Sequence, residues 1–175
     1  ESKVNTSIFN NDLNLFREIL NFNKIIITNS ILFKREYLEK TALFDVTLYR
    51  GQETEFFSRL FYKESKENYI IINEPLFIYK IHPNSITGEN QVKYVPKYRE
   101  SQFKIALSNF QRSIEIKDYH LVIFNISLLF KYYRDSILFN DKILSIKGYR
   151  WIKSQLFLYS KICFFEFIVI GGLLR

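Results

Sequence analysis

The chain has 175 residues, enough for one ordinary domain or for half of a larger one with an appendage. Hydrophobic residues make up 47% and aromatic residues 18%, ample for a packed core, while the single cysteine, Cys163, excludes an internal disulfide framework and a cysteine zinc site. The net charge of +7 is divided unevenly. Residues 1–90 hold 11 Lys and Arg against 12 Asp and Glu, and residues 91–175 hold 14 against 6, so the basic excess belongs to the second half. The N-terminus lacks the basic patch and apolar run of a signal peptide, and the chain begins at Glu1 and contains no methionine, which suggests a natural start further upstream.

Asn11-Asp12 can cap a helix with Leu13, Phe16, Ile19 and Leu20 on one stripe. Ile25-Ile26-Ile27 reads as a short buried strand, which Asn29-Ser30 interrupts before Ile31-Leu32-Phe33 resumes the apolar run. Lys34 to Lys40 suits a short helix, and Phe44 to Gly51 has turn character. From Glu53 to about Lys66 the spacing predicts a helix with Phe56, Phe57, Leu60 and Phe61 on one face. Tyr69 to Asn73 and Leu76 to Ile81 read as strands, followed by a loop over 83–90. Pro96 marks a boundary, beyond which the pattern predicts helices over roughly 97–115, 118–139, 141–159 and 161–174. The predicted organisation is therefore an α/β unit over 1–90 and a basic, all-α helical extension over 91–175.

The segments Asn29-Ser30, Phe44-Asp45, Gly51 to Leu60 and Tyr79-x-x-His82-x-x-Ser85-x-Thr87, in that order, resemble the second half of family 2 glycosyltransferases of the GT-A fold. The likeness covers about residues 24–88, and it implies a partial GT-A-like α/β domain followed by the helical tail. It also implies inverting transfer of a sugar from a nucleotide-sugar donor to an acceptor hydroxyl, with a divalent metal (Mg2+ or Mn2+) at the diphosphate. By this resemblance Glu53 falls on the general base and His82 on a metal or diphosphate contact. Asn29 and Ser30 would wall the sugar pocket, with Asp45, Gln52 and Arg59 as further candidate substrate-binding residues. Gln52 stands where the family commonly has an acid, and no Asp-x-Asp metal motif occurs in the chain. Taken alone, these residues are not expected to catalyse.

The chemistry is consistent on its own terms. An acceptor hydroxyl needs a carboxylate within reach as it attacks, and a helix start keeps such a carboxylate ionised. Simpler readings stand beside these. Glu53 can be an acid favoured by the helix dipole, Glu55 can pair with Arg59 one turn on, Asp45 can close its own turn, and Trp151 and Cys163 can be packing residues.

For the basic tail, nucleic acid is the weaker partner because no recognition motif accompanies the charge. An anionic membrane surface suits the interspersed Lys142, Lys147, Arg150, Lys153 and Ile143, Ile146, Trp151, Ile152. The run Ile162 to Leu174 is too short to span a bilayer comfortably; it either dips into a membrane or forms a last core helix. With the resemblance, these readings predict a bacterial enzyme of surface polysaccharide assembly with a glycan or lipid-linked acceptor, located in the cytoplasm or peripherally on the cytoplasmic face of the membrane. The rival is a non-catalytic scaffold that binds a partner or membrane.

Overall fold

The computed structural model describes residues 14–21, 26, 28–64, 68–72, 74, 76 and 93–158, with side chains to residue 155. Its elements are α1 (Leu15–Leu20), a 3-10 turn (Thr28–Ser30), α2 (Arg35–Glu39), α3 (Gln52–Phe61), α4 (Pro96–Glu115), α5 (Tyr119–Leu138) and α6 (Lys142–Leu158). The described residues are helical and contain no β-strand, which overturns the expected α/β, partly GT-A-like architecture.

The reason for the discrepancy is visible in two segments read as extended. Ile31 and Phe33 pack into the core around α3, whereas Leu32 between them is 99% exposed. Tyr69 lies edge-on to Phe61 with ring centroids 5.8 Å apart, while Ile70 and Ile72 face outward. Both segments show the two-residue alternation of a strand, but neither is assembled into a sheet among the described residues. Periodicity places side chains; a sheet also needs a partner backbone. The predicted strands at 25–27 and 76–81 fall largely outside the described residues, as do the Asn11-Asp12 cap, Cys163 and the predicted helix over 161–174.

In the first half, α1 is capped by Asn14, whose side chain accepts from the Arg17 amide. Its buried Ile19 meets Phe56, Phe57 and Leu60 of α3, with Ile31, Phe33, Tyr37 and Leu38 packed around them. Phe57 is almost wholly buried among three other rings, those of Phe33, Phe56 and Phe61. Burying an aromatic side chain of this size contributes roughly 2–3 kcal/mol before entropy is counted, so this cluster is the main stabilising element of the first half.

The described residues of the second half form a three-helix bundle. Pro96 occupies the first turn of α4, where its missing N–H costs no hydrogen bond. Phe103, Ala106 and Phe110 of α4 pack against Leu129 and Tyr132 of α5 and Leu144 of α6, and Trp151 meets Phe110 and Phe130 edge-on. The two connections share one design. Lys117 (φ 59°) and Asn140 (φ 56°) take the left-handed conformation that ends a helix. The amides of Asp118 and Asp141 then bond back to the carbonyls of Ser113 and Ser136, at 2.9 and 2.8 Å. Each aspartate next caps the following helix, accepting from the amides of Leu121 and Leu144. Three-residue turns of this kind reverse the chain, so neighbouring helices run antiparallel.

The halves meet at a third cluster, where Phe16 and Leu20 of α1 pack against Leu121 of α5, with Tyr62 and Ile116 alongside. Arg17 adds an ion pair to Asp118 at 2.6 Å, and Lys63 pairs with Glu115. The position of α3 is thus fixed by both halves.

Candidate functional site at the start of helix α3

Helix α3 begins at Gly51, whose φ of 79° is left-handed and whose carbonyl accepts the first helical bond from Glu55 at 2.9 Å. A Cβ at Gly51 would lie 2.7 Å from Ile105 Cδ1 of α4. The left-handed backbone favours glycine here, and a Cβ would in addition press on the movable end of the Ile105 side chain. With this start fixed, Glu53 and Glu55 occupy the first turn, where the helix dipole favours negative charge. They then diverge in environment.

Glu53 is half-buried and faces the Thr28–Ser30 turn. Its Oε1 accepts from the Thr28 amide at 2.7 Å and from the Thr28 hydroxyl at 2.5 Å. Its Oε2 has no partner among the described residues. One oxygen of the carboxylate is thereby anchored to the first residue of the turn that carries Asn29 and Ser30.

Glu55 is buried and committed to structure. It receives Arg59 through Nε at 2.9 Å and Nη2 at 3.1 Å, and Arg112 of α4 through Nη2 at 3.0 Å. Arg112 continues to Ser58 Oγ and Asn109 Oδ1 and lies over the Tyr62 ring. Arg59 also donates to the carbonyls of Ala42 at 2.5 Å and Leu43 at 2.7 Å, and stacks on Phe56. This network locks α3 to the preceding loop on one side and to the bundle on the other.

The remaining candidates separate accordingly. Asp45 closes its own turn, accepting from the Thr47 hydroxyl at 2.7 Å and amide at 2.8 Å; those bonds hold its carboxyl below the usual aspartate range. Gln52 donates to the Leu48 carbonyl at 2.7 Å and so supports the turn into α3. Arg59 acts as a strut, as above. Among the described candidates, only the Asn29-Ser30 turn is brought to Glu53, through its first residue Thr28; Asp45, Gln52 and Arg59 are each occupied elsewhere. His82 lies outside the described residues. Among the described residues no three His, Cys, Asp or Glu side chains converge as a metal site.

Two participants escape a reading of the sequence. Thr28 stands just before the Asn29-Ser30 pair, and its polar side chain at the end of an isoleucine run was the available signal. Arg112 lies 57 positions from its carboxylate, and no local pattern announces that pairing. No family model matches this sequence, and neither a curated protein nor a solved structure matches it significantly.

Proposed function

We propose that this chain contributes the acceptor-side base to a sugar-transfer reaction, with Glu53 as that base and a nucleotide-sugar as donor. The observation that supports the reading is the asymmetric tethering of Glu53: Thr28 donates twice to one carboxylate oxygen, and the other meets no partner among the described residues. In the reaction the acceptor oxygen attacks the anomeric carbon as its proton passes to Glu53 Oε2, and the bond from that carbon to the diphosphate oxygen breaks. The reading rests on the start of α3 and involves no sheet. The divalent cation that the resemblance implies finds no three-ligand cluster among the described residues, and no step is routed through it. A cytoplasmic setting and a glycan or lipid-linked acceptor of bacterial surface polysaccharide assembly belong to the same proposal.

A second reading has its own support. The Thr28–Glu53 bonds also tie the 3-10 turn to α3, as a purely structural carboxylate would in a non-catalytic scaffold. Glu53→Gln separates the two, because the amide oxygen of Gln can still accept both Thr28 bonds while the base is lost. In the protein expressed from its complete reading frame, with a panel of nucleotide-sugars, transfer should fall by about 10²–10⁴-fold. Binding of the nucleotide-sugar should stay within a few-fold. Retained turnover in that variant assigns Glu53 to the scaffold and overturns the proposal.

A further inference from the structure

Among the described residues no helix is long and apolar enough to cross a membrane. Helix α6 nonetheless carries a surface that a purely water-facing helix would not need. Leu144 and Gly148 turn inward, with Gly148 so close to α5 that an added Cβ would sit 2.6 Å from the Tyr133 ring. The opposite side presents Ile143, Ile146 and Tyr149, exposed by 67, 51 and 56%. At about 100° per residue, Lys142, Arg150 and Lys153 fall within this same arc, and all three are exposed. None of the three forms an ion pair among the described residues; Lys147, at the border of the arc, pairs with Glu100 of α4. No acidic residue occurs anywhere in α6.

From this face we infer that α6 docks the chain on an anionic lipid bilayer, lying parallel to the surface. Cations attract the headgroups, and the interleaved isoleucines and tyrosine enter the boundary between headgroups and acyl chains. Charge alone would suit any polyanion; the apolar side chains between the cations distinguish a bilayer from nucleic acid or an acidic peptide. The sequence directly after α6 points the same way, since Ile162 to Leu174 contains one charged residue, Glu166, in thirteen positions. The inference is independent of the sugar-transfer proposal and survives its failure.

The test is flotation of the 175-residue chain with vesicles of phosphatidylcholine alone and of phosphatidylcholine mixed with phosphatidylglycerol. Binding should be strong only on the mixed vesicles and should weaken as salt rises. Replacing Lys142, Arg150 and Lys153 by Gln should lower partitioning by about fivefold per charge. Ile143→Ser with Ile146→Ser should lower it at unchanged charge. All five positions are exposed, and circular dichroism checks that each variant keeps its helices. Equal partitioning on neutral and mixed vesicles, or vesicle binding indifferent to either set of substitutions, overturns the proposal. So does binding to single-stranded RNA at the same salt as tight as that to mixed vesicles and unchanged by the isoleucine substitutions, which would reassign the face to a polyanion.

Discussion

The Arg112 guanidinium of α4 donates to Glu55 of α3 at 3.0 Å, in a contact where both side chains are nearly buried. Its importance lies in what removal would leave behind. Glu55 would keep Arg59, but Asn109 and Ser58 would lose a donor in a closed interface. Breaking a buried pair from one side costs more than the pair contributes, because the remaining charge stays desolvated. Arg112→Ala is expected to destabilise by about 2–4 kcal/mol, measured by urea unfolding. Replacing Arg112 and Glu55 together should cost less than the sum of the single changes.

Gly51 sets the direction of α3. Gly51→Ala places a side chain in the left-handed region, at roughly 1–2 kcal/mol, and presses on Ile105, whose terminal methyl can move aside. The expected loss is about 1–2 kcal/mol in thermal or urea unfolding. Under the sugar-transfer proposal it should also weaken transfer, because Glu53 is placed by this turn.

Lys117 and Asn140 invite the opposite change. Both hold positive φ at the end of a helix, where glycine carries no Cβ penalty. Lys117→Gly should raise stability by roughly 0.5–1 kcal/mol, read as a higher unfolding midpoint. Asn140→Gly should gain less, since asparagine tolerates this region better than lysine.

Asp118 links stability to pH. Burial pushes its carboxyl up, but the hydrogen bond from Arg17, the Leu121 amide and the Arg17 charge outweigh it, so the net pKa lies below the ordinary value. A depressed carboxylate contributes stability that is complete above the unfolded value, about 3.9, and is lost as pH falls through the lower folded value. Stability of the wild-type chain should therefore decline below about pH 4. Arg17→Gln should flatten that part of the profile, and Asp118→Ala should remove the cap as well, at roughly 1 kcal/mol. Unfolding followed from pH 7 to pH 2 in both variants checks the sign.

The legibility of the chain in sequence differs sharply between its halves. The spacing over 97–115, 118–139 and 141–159 lies within a residue or two of α4, α5 and α6, because each helix is long, carries its own stop and start residues, and packs on its sequence neighbour. The predicted helix from Glu53 likewise has its counterpart in α3, one residue earlier and several residues shorter. The two described segments that read as extended, 31–33 and 69–72, did not become strands. Ile31 to Phe33 and Tyr69 to Ile72 alternate inward and outward as the pattern requires, but alternation says nothing about which backbone lies alongside. At the site, Glu55 with Arg59 was readable as neighbours one helical turn apart, and Asp45 as a turn acid. The partnership of Glu53 with Thr28, and of Glu55 with Arg112, was not readable, since both cross long stretches of chain.

By itself the sequence determined the basic second half, its three described helices and the acidic start of α3, all of which follow from composition and local spacing. Only the tertiary structure decided which carboxylate is locked between two arginines and which is tied by one oxygen to a polar turn. Glu53 and Glu55 share a helix turn and a dipole and differ by two positions, so no local rule separates them. That two-residue step turns one toward Thr28 and the other toward Arg112, and the packing of α3 on α4 fixes their difference.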